Sequence, residues 1–215
     1  MTPCEARFEG VLGDYDRVNT AAVASAGGSR VHVVAGMEPA APGMRVVGRA
    51  LTVAGAAGDN LALHQAVSQA GYGEVIVLDV QDGRDTAHCG DTIVRCAMER
   101  RIAGIVLNGS IRDRYIIGAL GFPVFHRGTC PRPPSAREPG HLRVPLRWGD
   151  AVIDTGDLVV ADDDGFVVVP ADEVDEILAK VVELDAHERE VALRIRAGES
   201  TIQIFDLPSF DEPDS

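Results

Sequence analysis

The sequence predicts a single α/β domain that carries an additional layer of β-strands and a long C-terminal helix. Three observations support this fold class. Between residues 45 and 125, patterns typical of strands alternate with patterns typical of helices, which indicates a central parallel sheet. Residues 151–169 instead contain short apolar stretches joined by tight turns. Residues 172–196 then show the apolar spacing of an amphipathic helix.

The first unit of alternating helices and strands is predicted within residues 17–80. Residues 17–26 are rich in Ala and Val and predict a short helix. Residues 45–54 are rich in Val and alternate loosely in polarity, which is typical of a strand. Residues 61–70 place apolar side chains at helical spacing, and Gly71 ends this helix. Residues 74–80 form an almost continuous apolar run, which is typical of a buried parallel strand.

The second unit repeats this alternation. Residues 91–101 predict a helix with one apolar side, and residues 104–107 predict a strand. Asn108-Gly109 is a turn signal, so we expect a third helix to begin directly after it, over residues 110–120. Residues 122–125 predict one more short strand.

The pattern changes in the C-terminal part of the chain. Residues 128–145 are rich in Pro, Arg and Gly and predict a long loop. Short strands are expected beyond it, at residues 151–154, 158–161 and 166–169. Asp164-Gly165 is a hairpin signal between the last two strands. The acidic run that contains it lacks the alternating ligand spacing of a calcium loop, so we interpret it as a turn.

Composition limits the class of protein. The chain has 215 residues, of which 46% are hydrophobic, which is ordinary for one globular domain over residues 1–215. We expect its core at about residues 17–200 and a frayed acidic tail at residues 206–215. No apolar run is long enough to span a membrane, and the first ten residues lack the apolar core of a signal peptide.

Cysteine usage and charge indicate the compartment and the class of ligand. The four dispersed cysteines suit free thiols in a reducing cytoplasm. A formal net charge of −13 argues against binding to the backbone of a nucleic acid. An anionic small-molecule substrate would therefore need a local cation, either a metal ion or an arginine.

Asp91 and the pair Arg112-Asp113 are the candidate site residues. Each is expected at the start of a helix that follows a strand or loop, where α/β proteins place ligand-binding groups. The free N–H groups of such a helix end also suit a carboxylate. Helix capping is the alternative interpretation, because Asp91 is a plausible N-cap and Ser110-x-x-Asp113 resembles a capping box. Capping does not explain Arg112, a cation in a first helical turn.

Other known types of site lack their sequence signatures. The six histidines are dispersed, with no H-E-x-x-H and no Cys/His cluster of the kind that binds zinc. The position of His64 in the middle of a predicted helix favours a packed side chain over a role near the site. There is no nucleophile elbow, P-loop or dinucleotide fingerprint. The chain has few lysines, and Lys180 lies on a charged helix face, so a Schiff base is not indicated.

Twenty residues separate Asp91 from Arg112, which gives the pattern Asp-x20-Arg-Asp. This pattern resembles the signature of the 4-hydroxy-4-methyl-2-oxoglutarate aldolases, a family shared with the RraA-type regulators of ribonuclease E. The resemblance runs from about residue 45 to 200. Further segments resemble blocks of that family, namely residues 58–61, 90–93, 103–113, 121–125 and 156–165. Two departures are Thr92-Ile93, where the family has Leu-Leu, and Asn108, where it usually has Asp.

The resemblance implies a fold, an assembly and a metal. The fold would be an α/β/β sandwich resembling the phosphohistidine swivelling domain, assembled as a homotrimer or a dimer of trimers. Asp113 would ligate Mg2+ or Mn2+ directly, and Asp91 and Asn60 would hold metal-bound waters. Arg112 would neutralise a 2-oxo acid and its enolate.

The resemblance also implies where the substrate binds. Backbone amides of the segment Gly90, Asp91, Thr92 and Ile93 would bind the substrate carboxylate. An acidic side chain from a neighbouring subunit would complete the site, with candidates Glu183, Glu188 and Glu190.

The implied function is that of a divalent-metal-dependent class II pyruvate aldolase. Such a lyase cleaves a 4-hydroxy-2-oxo acid through a metal-stabilised pyruvate enolate. Decarboxylation of oxaloacetate produces the same enolate, so this activity is expected as well. Two alternatives remain at this stage: a non-catalytic, protein-binding regulator of the RraA type, or a relative recruited to another metal–enolate reaction.

Overall fold

The computed structural model describes residues 18–208 of the chain. The helices are α1 (Thr20–Gly27), α2 (Leu61–Gln69), α3 (Asp91–Glu99), α4 (Arg114–Leu120), α5 (Val174–Arg196) and α6 (Thr201–Ile204), with a 3-10 turn at Gly28–Arg30. The strands are β1 (His32–Val34), β2 (Glu38–Pro39), β3 (Val46–Ala54), β4 (Glu74–Cys89), β5 (Gly104–Ile111), β6 (Val124–Thr129), β7 (His141–Leu142), β8 (Leu146–Trp148), β9 (Ala151–Ile153), β10 (Leu158–Asp162) and β11 (Gly165–Val169).

Nine of these strands form one mixed sheet in the order β1-β11-β10-β3-β4-β5-β6-β2, with β7 paired to β3. Strands β3 to β6 are parallel to one another, which confirms the predicted central parallel portion. The outer strands add to it in the antiparallel sense. The apolar runs of the parallel strands are buried, as Leu51, Ile76 and Ile105 illustrate.

Two apolar cores lie against this sheet. The larger core contains buried residues of helices α2 and α3 together with those of the parallel strands. The smaller core packs α1 and the first half of α5 against β10 and β11. Val174, Ile177, Leu178 and Val181 supply the α5 side of it. Each such buried side chain contributes roughly 1.5–3 kcal/mol.

The separate β layer is smaller than the sequence predicts. Only β8 and β9 form a ribbon of their own, which contacts β3 and β1. The hairpin of β10 and β11 is confirmed at the predicted acidic turn, but it joins the main sheet beside β3. Its strands bury both faces, since Val159 faces the larger core and Val160 the smaller one. Strands buried on both faces belong inside a covered sheet. The likeness to the phosphohistidine swivelling domain stays a prediction.

The prediction for residues 108–113 is wrong. Asn108 and Gly109 do not form a turn but continue β5 as far as Ile111, and α4 begins only at Arg114. The reason is tertiary. Strand β4 runs on to Cys89, nine residues beyond the predicted end at residue 80, and it pairs with this extension of β5.

Several boundaries elsewhere agree with the sequence. The long helix ends at residue 196 as predicted, and α6 then adds a short turn beyond the expected core limit at residue 200. The predicted loop 128–145 begins within the end of β6 and otherwise contains the two-residue strand β7 and an isolated bridge at Ser135. Residues 1–17 lie outside the described residues, and they include the segment tested for a signal peptide and the first residue of the predicted N-terminal helix. Residues 209–215, most of the acidic tail, lie outside them as well. Among residues 18–208, no helix is long and apolar enough to cross a membrane.

Candidate functional site

The end of β5 and the connection from β4 to α3 are held side by side. Ile111 pairs with Cys89 across the two strands, and the Arg112 backbone N–H donates to the Cys89 carbonyl at 2.9 Å. Asp113 then adopts a left-handed backbone with φ 57°, a conformation that Asp tolerates better than most residues. This turn directs the chain into α4 and brings Arg112 and Asp113 next to Gly90.

Gly90 forms the floor of this site. A Cβ atom built on Gly90 would lie 2.8 Å from Asp113 Oδ2 and 3.2 Å from Arg112 Nε. Any other residue here would therefore displace both functional side chains. Arg112 Nε lies 3.4 Å from Asp113 Oδ2, and the two side chains keep 41% and 34% of their surface exposed. The two side chains contact each other and remain accessible to a ligand.

The N-terminus of α3 adds backbone donors to the same site. The first hydrogen bond within the helix runs from Val94 N to the Gly90 carbonyl at 3.2 Å. The N–H groups of Asp91, Thr92 and Ile93 consequently have no partner within the helix. No side chain caps this end, so the amides are available to an anion.

Capping is the wrong interpretation for both aspartates. Asp91 is the first residue of α3 rather than its N-cap, and its carboxylate contacts Arg95 at 3.3 Å. Asp113 occupies the N-cap position of α4, yet its side chain makes no capping hydrogen bond. Ser110 lies within β5, where its hydroxyl donates to the Arg84 carbonyl. The expected capping box is absent from the structure at these residues.

The dipole argument for Arg112 is also wrong. Arg112 lies in the bend between β5 and α4 and not in a first helical turn. Its position follows from the extension of β5.

Cys89 lies directly beside the site and is a neutral thiol. Burial raises its pKa to about 12, with a further contribution from the negative charge of Asp113. A cysteine acts as a nucleophile through its thiolate, so Cys89 is not a nucleophile at neutral pH. Its role is to pack beneath Gly90.

Asn60, another predicted site residue, lies on the connection into α2. It precedes α2, its backbone N–H donates to the Ser135 carbonyl, and its side chain makes no capping hydrogen bond. No hydrogen bond joins its side chain to Arg112 or Asp113 in the part of the chain that the structure describes. The structure thus brings Gly90, Arg112 and Asp113 together directly and places Asn60 on the neighbouring connection.

Asp59 organises that neighbouring connection. It is almost fully buried, where desolvation by itself would raise its pKa. Hydrogen bonds from the Ser135 hydroxyl and from the backbone of Leu61 and Arg137 outweigh this effect and lower the pKa to about 2. Asp59 therefore stays ionised and ties the 128–145 loop to the start of α2.

His88 is a supporting residue that the sequence did not indicate. It is fully buried in β4, and its Nε2 accepts from the Gly58 N–H at 3.0 Å. Burial lowers its pKa, so the ring is neutral and its proton lies on Nδ1. His88 holds the Gly58 turn two residues before Asn60. His64, by contrast, is exposed, so its predicted packing role is wrong.

Comparison with known proteins identifies the family. The family model described as Aldolase/RraA (RraA-like) matches residues 16–168, more than half of the chain. The chain belongs to the RraA-like family. A relative from Halalkalibacterium halodurans, named "Putative 4-hydroxy-4-methyl-2-oxoglutarate aldolase", is 36% identical over 169 residues, which span 77% of this chain and 80% of the relative.

Two solved structures extend the RraA-like comparison to the fold. An uncharacterized protein from Pseudomonas syringae pv. tomato has a TM-score of 0.81 and 28% identity, over 91% of this chain and 96% of that chain. RraAS2 from Streptomyces coelicolor, described as an unusual member of the RNase ES inhibitor RraA protein family, has a TM-score of 0.73 and 29% identity, over 85% of this chain and 95% of that chain. The family resemblance stated from Asp-x20-Arg-Asp is confirmed.

Proposed function

We propose that this RraA-like protein is a divalent-metal-dependent lyase that cleaves a 4-hydroxy-2-oxo acid to release pyruvate, and that it also decarboxylates oxaloacetate. One observation carries the proposal. Arg112 and Asp113 converge on the Gly90 floor beside the uncapped N-terminus of α3. A cation, a carboxylate and a set of free amides in one accessible place suit a 2-oxo acid. The name of the Halalkalibacterium relative supports the same reaction class.

The donor set suits Mg2+ or Mn2+ better than zinc. Among the described residues, no group of three or more His, Cys, Asp or Glu side chains could enclose a metal ion. Mg2+ needs no such cage, because it retains several waters and uses one or two carboxylates together with oxygens of the substrate. The half-exposed carboxylate of Asp113 would be the direct ligand, with Asp91 binding through water. When bound, the cation supplies an electrophile that stabilises the charge of an enolate.

The remaining steps belong to the chain itself. The amides at Asp91, Thr92 and Ile93 would bind the substrate carboxylate and set its direction. The Arg112 guanidinium would donate to the ketone oxygen, where negative charge develops as the carbon–carbon bond breaks. The contact with Asp113 keeps this guanidinium next to the proposed metal ligand.

A Schiff-base mechanism finds no candidate in this chain. Lys180 is the only lysine in the sequence. It lies on α5, where it pairs with Glu176 at 3.0 Å, and α5 packs in the smaller core and not at the Gly90 site. Its side chain is 45% exposed, whereas a lysine that forms a Schiff base is often desolvated. This leaves an electrophilic cation as the route to the enolate.

Pyruvate release tests the proposed function. The protein is dialysed against EDTA and assayed with several 4-hydroxy-2-oxo acids and with oxaloacetate, then assayed again after Mg2+ or Mn2+ is added. We expect activity only with added metal. Full activity after EDTA would contradict the metal requirement. No activity on any substrate under any condition would instead favour the non-catalytic, protein-binding regulator.

A further inference from the structure

We propose that Arg127 forms a second anion site, separate from Arg112 and Asp113, which binds a small monocarboxylate. Arg127 lies on β6, next to Asn108 on β5. Its Nε donates to Asn108 Oδ1 at 3.2 Å, and its Nη1 donates to the Ala35 carbonyl at 2.6 Å. Both contacts orient the guanidinium, and Nη2 makes no hydrogen bond to residues 18–208. A guanidinium held in this way is preorganised for a planar anion.

The charge of Arg127 is not neutralised by a direct partner. Among the described residues, no carboxylate lies within ion-pair distance of it. The nearest acidic group in its hydrogen-bond network is Asp79, which it reaches only through Asn108, whose Nδ2 donates to Asp79 Oδ1 at 2.9 Å. An amide and a carbonyl satisfy hydrogen bonds but leave the positive charge uncompensated. Such a cation favours an anionic ligand.

A cavity of about 380 Å³ lies beside this guanidinium. Its lining includes Arg127, His32, Trp148 and Asp150. Trp148 is almost fully buried, and its indole N–H has no acceptor among the described residues. The indole nitrogen has almost no accessible surface, so it is not a donor to a ligand in the cavity. Arg127 would provide the charged donors to the carboxylate, and Trp148 lines the same cavity.

The surroundings select the charge and size of the ligand. The volume is near the lower end for ligand pockets, which suits a small molecule. Asp150 is exposed on the lining and would repel a dianion more strongly than a monoanion. A monocarboxylate is therefore favoured over phosphate. This inference does not depend on the lyase activity.

Trp148 makes the test direct, because it is the only tryptophan in the chain. Its fluorescence is followed during titration with acetate and, separately, with inorganic phosphate at matched ionic strength and constant pH. We expect a saturable change with acetate in the millimolar range and at least several-fold weaker binding of phosphate. Equal or tighter binding of phosphate would overturn the proposed selectivity, and a titration without saturation would overturn the site.

Variants locate the signal. Arg127→Gln should weaken acetate binding at least tenfold, whereas Arg112→Gln should leave it unchanged, since Arg112 belongs to the other site. Asp150→Asn, an exposed change that preserves the fold, should tighten acetate binding several-fold. A titration that is unaffected by both Arg127→Gln and Asp150→Asn, or that is abolished by Arg112→Gln, would refute the proposal.

Discussion

At the scale of single residues, the site depends on side chains that local structure does not use. Asp113 is held at a positive φ yet makes no capping bond, and Arg112 lies outside any helix. Gly90 is required because both side chains occupy the space of its missing Cβ. Residues that do not serve local structure are free to bind a ligand.

Replacing Asp113 with Asn separates function from stability. Asn also tolerates a left-handed backbone, so Asp113→Asn should change the free energy of unfolding by no more than about 0.5 kcal/mol. The proposed direct ligand would be lost, and we expect kcat/KM for pyruvate release to fall at least 100-fold. Asp164→Asn, at the exposed hairpin turn, is the matched control. Near-normal activity in the Asp113 variant would show that the metal site lies elsewhere.

His126 makes stability depend on pH. It is fully buried, and neither ring nitrogen has a hydrogen-bond partner among residues 18–208. Burial together with nearby Arg114 lowers its pKa from 6.5 to about 4. Between these values the unfolded chain takes up a proton that the folded chain does not, so stability is present above pH 6.5 and is lost as pH falls towards 4. His88, whose pKa is also lowered, acts in the same direction.

Urea denaturation at pH 7 and pH 5 measures this effect. His126→Leu should reduce the loss of stability between the two pH values by about 2 kcal/mol, at 1.36 kcal/mol for each pKa unit. His64→Gln, an exposed change, should not reduce it. An equal loss in the wild type and the His126 variant would mean that other groups control the acid response.

At the scale of elements, β5 shows how a strand overrides a turn signal. Asn108-Gly109 is a strong local turn motif. In the structure the Asn108 side chain instead donates to Asp79 and accepts from Arg127. A Cβ atom on Gly109 would lie 2.5 Å from Val80 Cγ2, so a larger residue would clash there. Both residues are thus required by neighbouring strands. Asn108 and Gly109 therefore pair β5 with β4 and do not form a turn.

A double-mutant cycle tests the bridging role of Asn108. Asn108→Asp would place a carboxylate against Asp79 and remove the N–H that now joins them. We expect this change to cost at least about 1 kcal/mol more in the wild type than in an Asp79→Asn background, where a donor is restored. Equal costs in the two backgrounds, measured by urea denaturation, would show that the two side chains are not coupled.

At the scale of the whole molecule, the C-terminal helices leave apolar surface uncovered. Four apolar residues in the first half of α5 are buried within the chain, namely Val174, Ile177, Leu178 and Val181. The exposed apolar residues are Val182, Leu193 and Ile195 of α5 and Ile202, Phe205 and Leu207 in and after α6. Glu183, Glu188 and Glu190 are also exposed. Apolar surface of this kind is typical of an interface.

We expect this surface to mediate a homotrimer or a dimer of trimers. Closed symmetry would bury the same patch on every copy and could bring an acidic side chain of α5 to a neighbouring site. Light scattering should give three or six times the chain mass of 22.8 kDa. Leu193→Glu combined with Phe205→Glu should lower the mass, whereas Tyr72→Glu, at an exposed residue elsewhere, should not. An active wild-type monomer would exclude this assembly.

The sequence alone determined the alternation of elements, the long C-terminal helix, the family and the separation of Asp91 from Arg112-Asp113. These features follow from periodicity and spacing, which are properties of neighbouring residues along the chain. Tertiary structure decided the length of β4 and β5, the place of the β10–β11 hairpin, and the parts played by His88 and Arg127. The physical reason is that each of these depends on a partner strand or loop distant in sequence. Because β5 pairs with β4 through Asn108 and as far as Ile111, Arg112 and Asp113 lie next to Gly90.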